Sequence, residues 1–206
     1  MNRYIEFIIA LPGLIVLSPL FLIIAVWIKL DSKGPVFYHG ERVGLNGRIF
    51  YMLKFRSMMA DASVKGPPIT TQQDSRVTRA GRFLRKTKLD ELPQLINVLK
   101  GDMKFVGPRP EDPAIVKKYT PEQKQILNYR PGITSPASVM FRAEEEMIAP
   151  DQWESVYMNR ILPRKLDTDL AYMKRAGFWS DAGVILKTVG IGKRRPKNKD
   201  QRLKNE

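Results

Sequence analysis

From Phe7 to Ile28 the chain runs for 22 residues without a charge, and beyond that run short apolar stretches alternate with strongly polar ones. As a helix the run reaches about 33 Å, long enough to cross a bilayer. It continues into Lys29-Leu30-Asp31 with no small-residue cleavage site, so it reads as a retained segment rather than a signal peptide. Pro12 and the pair Ser18-Pro19 interrupt it, and an interior proline removes a backbone hydrogen bond and bends a helix. On the residues alone two readings stand. One is a single span with a mild proline kink; the other is a re-entrant hairpin whose arms, each too short to cross, enter one leaflet and return. In the hairpin the Ser18 hydroxyl can satisfy a carbonyl that the break frees. Arg3 on one flank and Lys29 and Lys33 on the other are compatible with both ends being cytoplasmic but do not require it.

Past this segment, Gly34-Pro35 reads as a turn into a short strand through His39, Gly44 to Arg48 as a hairpin turn, and Ile49 to Arg56 as a second strand. Between Arg79 and Lys100 the positions Phe83, Leu84, Leu92, Leu95, Ile96 and Leu99 fit helical spacing in two pieces, with Pro93 opening the second and Gly101 closing it. Pro108-Arg109-Pro110 and Pro131-Gly132-Ile133-Thr134 are expected to be rigid loops bracketing a helix near Pro121–Tyr129. Helical spacing returns at Trp153, Val156, Tyr157, Ile161 and Leu162, then at Leu166, Leu170, Tyr172 and Met173. Phe178, Trp179, Val184, Ile185 and Leu186 form an apolar stripe that suits either an interfacial amphipathic helix or ordinary core packing. The expected class is mostly α with a small β element, α+β, and no internal repeat is found. From Lys193 onward seven basic residues accompany two acidic ones, which reads as a disordered basic tail near anionic lipid.

Charge narrows the partners. The 206 residues hold 35 Lys and Arg against 21 Asp and Glu, a net charge of +14, which favours phosphate groups, nucleic acid or anionic lipid. A hydrophobic share of 43% excludes wholesale disorder, and a mean hydropathy of -0.29 excludes a polytopic membrane protein. No helix-turn-helix, RNA-recognition signature or aromatic-basic platform is present, so no nucleic-acid partner is expected. With no cysteine and His39 as the one histidine, thiol chemistry, Cys/His zinc sites and a serine triad are excluded as expectations. Carboxylates, hydroxyls and cations remain, the set suited to phosphoryl transfer with Mg²⁺. Six cations, Arg76, Arg79, Arg82, Arg85, Lys86 and Lys88, precede the adjacent acids Asp90 and Glu91 with no acid among them. Guanidinium forks hold phosphate oxygens, and a carboxylate beside them is expected to have its pKa lowered and to serve as nucleophile or magnesium ligand. The alternative is a solvated charged face followed by acids in a helix's first turn.

The run from Asp74 to Pro110, DSRVTRAGRFLRKTKLDELPQLINVLKGDMKFVGPRP, closely resembles the signature of the bacterial sugar transferase family, the small monotopic phosphoglycosyl transferases. Lys54 to Met58, Gly34 to Phe37 with Glu41 to Gly44, and Pro131 to Thr134 resemble further motifs of that family, so that the likeness extends over residues 1 to 190. The resemblance implies transfer of a sugar phosphate from a UDP-sugar to a polyprenol phosphate such as undecaprenyl phosphate. UMP is released and a polyprenol diphosphate-sugar is formed, the first membrane step of bacterial glycan assembly. It implies a re-entrant helix-break-helix over residues 1–30, broken at Ser18-Pro19. A compact membrane-associated catalytic domain with interfacial helices follows over 31–190, on the cytoplasmic face of the inner membrane against inner-leaflet lipid, and a tail over 191–206. The multispan region of larger relatives is missing from these residues, so the minimal catalytic unit is expected. By the same carry-over Asp90 matches the nucleophile, forming an aspartyl sugar-phosphate intermediate, and Glu91 the second acid of the dyad; both are the expected Mg²⁺ ligands. Arg85 and Arg109 match phosphate or nucleotide contacts, with Lys54 and Arg56 as further substrate-binding candidates. Neither the sugar nor an oligomeric state is selected by these motifs. After Thr134 the chain departs from the commoner pattern, and Arg142 to Glu146 either line a sugar pocket or form a solvated acidic turn.

Overall fold

The computed structural model describes residues 2–190 apart from 63–65, 67–68, 71–73 and 150–151; the expected basic tail over 191–206 lies outside the described residues. Helix α1 (Arg3–Asp31) is helical throughout. Because it is apolar all round, its composition commits no single face to a core, and the body takes one stripe. Glu6, Ala10, Ile24 and Ile28 are buried, and Leu14, Leu17, Leu20 and Phe21 pack beside them. The other side, with Ile8, Ile15, Val16, Leu22, Ile23 and Leu30, is 64–82% exposed. Helical bonding continues across Ser18-Pro19: proline cannot donate to the Ile15 carbonyl, and the Ser18 hydroxyl donates to it at 2.7 Å instead. Among the described residues α1 is the one helix long and apolar enough to cross a membrane.

Strands β1 (Phe37–Val43) and β2 (Ile49–Phe55) form the expected antiparallel hairpin, in register from Phe37 opposite Phe55 to Val43 opposite Ile49. Its turn places Asn46 and Gly47 at φ of 55° and 78°, a left-handed pair for which Asn-Gly is the favoured choice. Helix α2 (Arg79–Thr87) starts on a Thr78 cap, whose hydroxyl accepts from the Gly81 amide at 3.0 Å. A Cβ at Gly81 would lie 1.9 Å from the Ser57 carbonyl oxygen, so only glycine lets α2 sit this close to the chain leaving β2. Helix α3 (Gln94–Lys100) closes the edge of β2 through buried Asn97, which accepts from the Leu53 amide at 2.9 Å and donates to the Tyr51 carbonyl at 2.8 Å.

Pro131 to Thr134, expected to be a rigid loop, is instead partly a strand: β4 (Gly132–Thr134) pairs in parallel with β3 (Lys104–Val106). Three residues are too few to show an alternating pattern, and the partner is remote in sequence, so nothing local announces the pairing. Between them lie α4 (Pro113–Val116) and, where a helix near Pro121–Tyr129 is expected, the tighter 3-10 turns of Gln123–Asn128. Helix α5 (Pro136–Met140) follows β4. Then α6 (Trp153–Val156), a π-helical turn (Tyr157–Ile161) and α7 (Leu162–Met173) run end to end, and α8 (Phe178–Thr188) ends the described chain. The largest core joins Val43, Ile115, Val116, Tyr157, Ile161, Leu162 and Leu166, with each such buried side chain contributing about 1.5–3 kcal/mol. Helix α8 packs on the core through Val184 and leaves Trp179 84% exposed. The architecture is mostly helical with two small two-stranded sheets.

Candidate active site

Helix α2 stops where Lys88 turns left-handed at φ 60°, and Leu89–Glu91 follow as a single 3-10 turn. That abrupt turn sets Asp90 and Glu91 side by side on the wall of a cavity of about 510 Å³, to which Lys54, Arg85, Lys88 and Arg109 also contribute. β2 carries Lys54, and the loop after β3 carries Arg109 between Pro108 and Pro110, whose fixed φ angles stiffen it. Five sequence-predicted residues from four separate segments therefore meet in one place.

The two acids differ sharply. Arg109 donates to Glu91 Oε1 at 2.7 Å and to Oε2 at 3.4 Å, and Lys54 donates to Oε1 at 3.1 Å. Burial opposes the Glu91 charge, but Arg109 and then Lys54 outweigh it and hold this carboxyl far below the usual range. Asp90 is 4% exposed, and its Oδ1 is buried without a hydrogen-bond partner. Burial pushes its pKa up; Lys54, Arg85 and Lys88 offset this in part and the Glu91 charge adds to it. The lowered pKa expected beside so many cations thus holds for Glu91 and is corrected for Asp90, where desolvation wins. Burial also pushes the Lys54 ammonium down, with Glu91 opposing.

An under-solvated carboxylate oxygen ringed by cations can attack an electrophilic phosphorus, or hold a divalent cation shared with phosphate oxygens. Among the described residues no three acidic or histidine side chains converge. The unpartnered Asp90 Oδ1 fits one position in a Mg²⁺ shell completed by water and substrate. Glu91, with both oxygens taken by cations, fits that role poorly.

Arg56 is not brought to this site. The strand ends at Phe55, and Arg56 turns under α1, where it is 5% exposed and donates to the carbonyls of Ser32 and Lys33 and, at 3.0 Å, to the Ser32 hydroxyl. Its guanidinium caps the C-terminus of α1 rather than facing substrate. The cavity also includes Arg142 and Glu144, from the stretch for which the sequence left a pocket wall and a solvated turn as alternatives, and Lys165, which the sequence reading did not put forward as a site residue. Lys165 occupies a buried stripe of α7 with Leu162, Leu166 and Asp169, and a lysine at such spacing among leucines is the signal that could have singled it out.

The model of the bacterial sugar transferase family matches residues 1–194. The chain belongs to this family. As a bacterial sugar transferase it is 41% identical over 191 residues to the UDP-glucose:undecaprenyl-phosphate glucose-1-phosphate transferase of Xanthomonas campestris pv. campestris, covering 88% of this chain and 36% of that protein. It is 37% identical to the UDP-N-acetylgalactosamine-undecaprenyl-phosphate N-acetylgalactosaminephosphotransferase of Aeromonas hydrophila, covering 91% of this chain and 42% of that protein. A putative undecaprenyl-phosphate N-acetylgalactosaminyl 1-phosphate transferase of Bacillus subtilis (strain 168) is 46% identical over 121 residues, 59% of this chain and 68% of that protein. This bacterial sugar transferase chain therefore spans about four tenths of the length of the first two relatives.

Proposed function

We propose that the protein transfers a sugar phosphate from a UDP-sugar to undecaprenyl phosphate, releasing UMP and leaving a polyprenol diphosphate-sugar. The observation that carries this reading is Asp90, a buried carboxylate with one unpartnered oxygen on a cavity wall that also holds Lys54, Arg85, Lys88 and Arg109. Family membership and the relatives' names support the substrates. An Asp90 oxygen attacks the β-phosphorus of the donor; the bond from that phosphorus to the oxygen bridging to the α-phosphate breaks, and UMP departs with the electron pair. An oxygen of the polyprenol phosphate then attacks the same phosphorus, and the bond to Asp90 breaks to restore the carboxylate. Arg85 and Arg109 hold diphosphate oxygens. Glu91 keeps Lys54 and Arg109 in place, and Lys54 supplies positive charge beside the nucleophile. Mg²⁺ is the proposed cofactor, held by Asp90 and substrate oxygens, and when bound it neutralises charge on the diphosphate.

The site works at a membrane surface, on the cytoplasmic face of the bacterial inner membrane. In support of this, α1 packs one stripe along the catalytic body from Glu6 to Ile28, which suits a helix that lies in one leaflet beside that body better than one that crosses the bilayer. On this reading it dips into one leaflet with its exposed apolar side toward lipid, and Ser18-Pro19 is the point at which it would bend. Residues 31–190 form the catalytic unit on this reading. The deciding experiment incubates purified protein with undecaprenyl phosphate, Mg²⁺ and a panel of UDP-sugars and separates UMP from UDP. UMP is expected; UDP would mean cleavage at the sugar carbon and an ordinary glycosyltransferase.

A further inference from the structure

The far side of the cavity from β2 is built by the segment after β4 and by α7 and α8, through Ser138, Phe141, Arg142, Glu144, Lys165 and Thr188. Several of its polar groups bond to one another. Arg142 turns its guanidinium to the carbonyls of Lys187 and Thr188 at the end of α8. Lys165, 6% exposed in its side chain, donates to Glu144 Oε2 at 2.9 Å and pairs with Glu111 at 3.5 Å. It also donates to the Tyr157 hydroxyl at 3.2 Å, and that hydroxyl donates in turn to Glu111 at 2.5 Å. This buried chain fixes Glu144 from behind, while its Oε1 has no hydrogen bond among the described residues. Arg109 lies within the electrostatic reach of Glu91, Glu144 and Glu111.

We propose that Glu144 selects the sugar of the donor, accepting hydrogen bonds from hydroxyl groups of an uncharged hexose ring and disfavouring rings that carry a carboxylate. The assignment rests on the functional reading above. Diphosphate oxygens gather at the cations around Asp90, and a fixed carboxylate repels them, so what lies against Glu144 is a part of the donor bearing hydroxyl donors, the hexose or the ribose; UMP, which has the ribose and lacks the hexose, separates the two. Phe141 offers an apolar surface on the same side for the ring's C–H groups. A carboxylate held in place by an ion pair accepts such bonds without first having to be ordered.

The test measures, for wild type and Glu144→Gln, affinity for UMP and for four UDP-sugars: glucose, galactose, N-acetylgalactosamine and glucuronic acid. It also measures UMP release from each sugar. Glutamine keeps an acceptor for Lys165 but loses the charge. For the preferred neutral donor, affinity is expected to fall about 10- to 100-fold. UMP affinity is expected to stay within about 2-fold, and the ratio of glucuronic to neutral donor to rise about 10-fold. Equal losses for UMP and UDP-sugar, or an unchanged donor ratio, would make Glu144 only a structural counter-ion of Lys165 and overturn the assignment. If Glu144→Gln does not fold, Glu144→Asp is read by the same criteria. Wild-type protein that binds neither UMP nor any UDP-sugar overturns the functional reading itself.

Discussion

Replacing Asp90 by asparagine separates the chemistry of the site from its stability, and the two are expected to move in opposite directions. The side chain keeps its shape but loses its nucleophilic oxygen, so UMP release should fall at least about 10⁴-fold, roughly 5.5 kcal/mol of barrier. Stability should rise. Asp90 is 4% exposed with Oδ1 unpartnered, and burial disfavours its ionised form despite Lys54, Arg85 and Lys88, so the fold carries a charge it solvates poorly. Removing such a functional strain typically recovers about 0.5–2 kcal/mol, and 1 kcal/mol corresponds to about 2–4 °C in a domain of this size. Detergent-solubilised wild type and Asp90→Asn are compared by thermal melting with chelator present, and by UMP release with Mg²⁺. A further measurement omits the acceptor: the covalent route gives wild type one equivalent of UMP per site and gives the variant none. Turnover within about 10-fold of wild type would remove Asp90 as nucleophile. A melting point lowered by several degrees would show that the buried carboxylate is a net stabilising group and refute the argument from burial.

Arg56→Met should leave UMP affinity unchanged while lowering the melting temperature by an amount matching about 1–3 kcal/mol, since it strips the bonds to Ser32 that fasten the end of α1; weakened UMP binding in a folded variant would return Arg56 to the substrate site. Asp169, whose carboxyl burial pushes up to about 6 despite hydrogen bonds from Ala137 and Ser135, binds its proton more tightly in the native than in the unfolded state. Its contribution is therefore fully present below the unfolded value of 3.8 and is lost as pH rises through about 6. Wild type should accordingly lose up to about 3 kcal/mol relative to Asp169→Asn between pH 4 and 7, and parallel pH–stability curves would contradict this. Cysteines introduced at Asn2 and Lys33, in a chain that has none of its own, should be labelled from the same side of sealed vesicles; labelling from opposite sides would establish a span.

What the sequence revealed and what it hid follow the range of each interaction. The hairpin was legible because its Gly44–Arg48 turn lies between its own strands; the six cations and two acids of one short run left a solvated face as an alternative, and it was the resemblance of the Asp74–Pro110 run to the family signature that singled out Asp90 and Glu91. The β3–β4 pairing was not, since each strand has three residues and its partner lies far along the chain. Lys54 and Arg56 look alike two residues apart, yet one meets Glu91 and the other the end of α1; only the point where β2 stops distinguishes them. Counting cations correctly anticipated the ionised Glu91, but burial decides Asp90, and burial is set by every element packed around it. Lys165 escaped notice, and the Arg142–Glu146 stretch was left between two readings, because the pairing of Lys165 with Glu144 spans 21 residues and joins an acidic stretch to an apolar helix face.

The placement of Arg56 also explains how the apolar helix α1 is joined to a site that it does not line. The C-terminal end of α1 is fastened twice: Arg56 donates to the Ser32 carbonyl and hydroxyl just past it and, at 3.5 Å, to the Ile28 carbonyl of its last turn, and Asp31 accepts from the Ala80 amide at 3.0 Å, at the first turn of α2. Helix α2 then runs nine residues to the left-handed Lys88 and delivers Asp90 in the following turn. Ile24 and Ile28 pack against Phe55 and Leu84 along the way, so α1, β2 and α2 share one small core. On the proposed function a lipid phosphate reacts only if Asp90 sits at a fixed height above the acyl chains, and three packed elements and two polar fastenings, rather than a linker, would set that height. The N-terminal arm adds a second point of attachment through Ala10, Leu14 and Leu17 against Leu95 and Val98, on the helix that directly follows the dyad. Both sides of Asp90 in sequence are thereby tied to the apolar helix, and a change that loosened either end of α1 would displace Asp90 relative to that helix before it disturbed the cavity's own contacts.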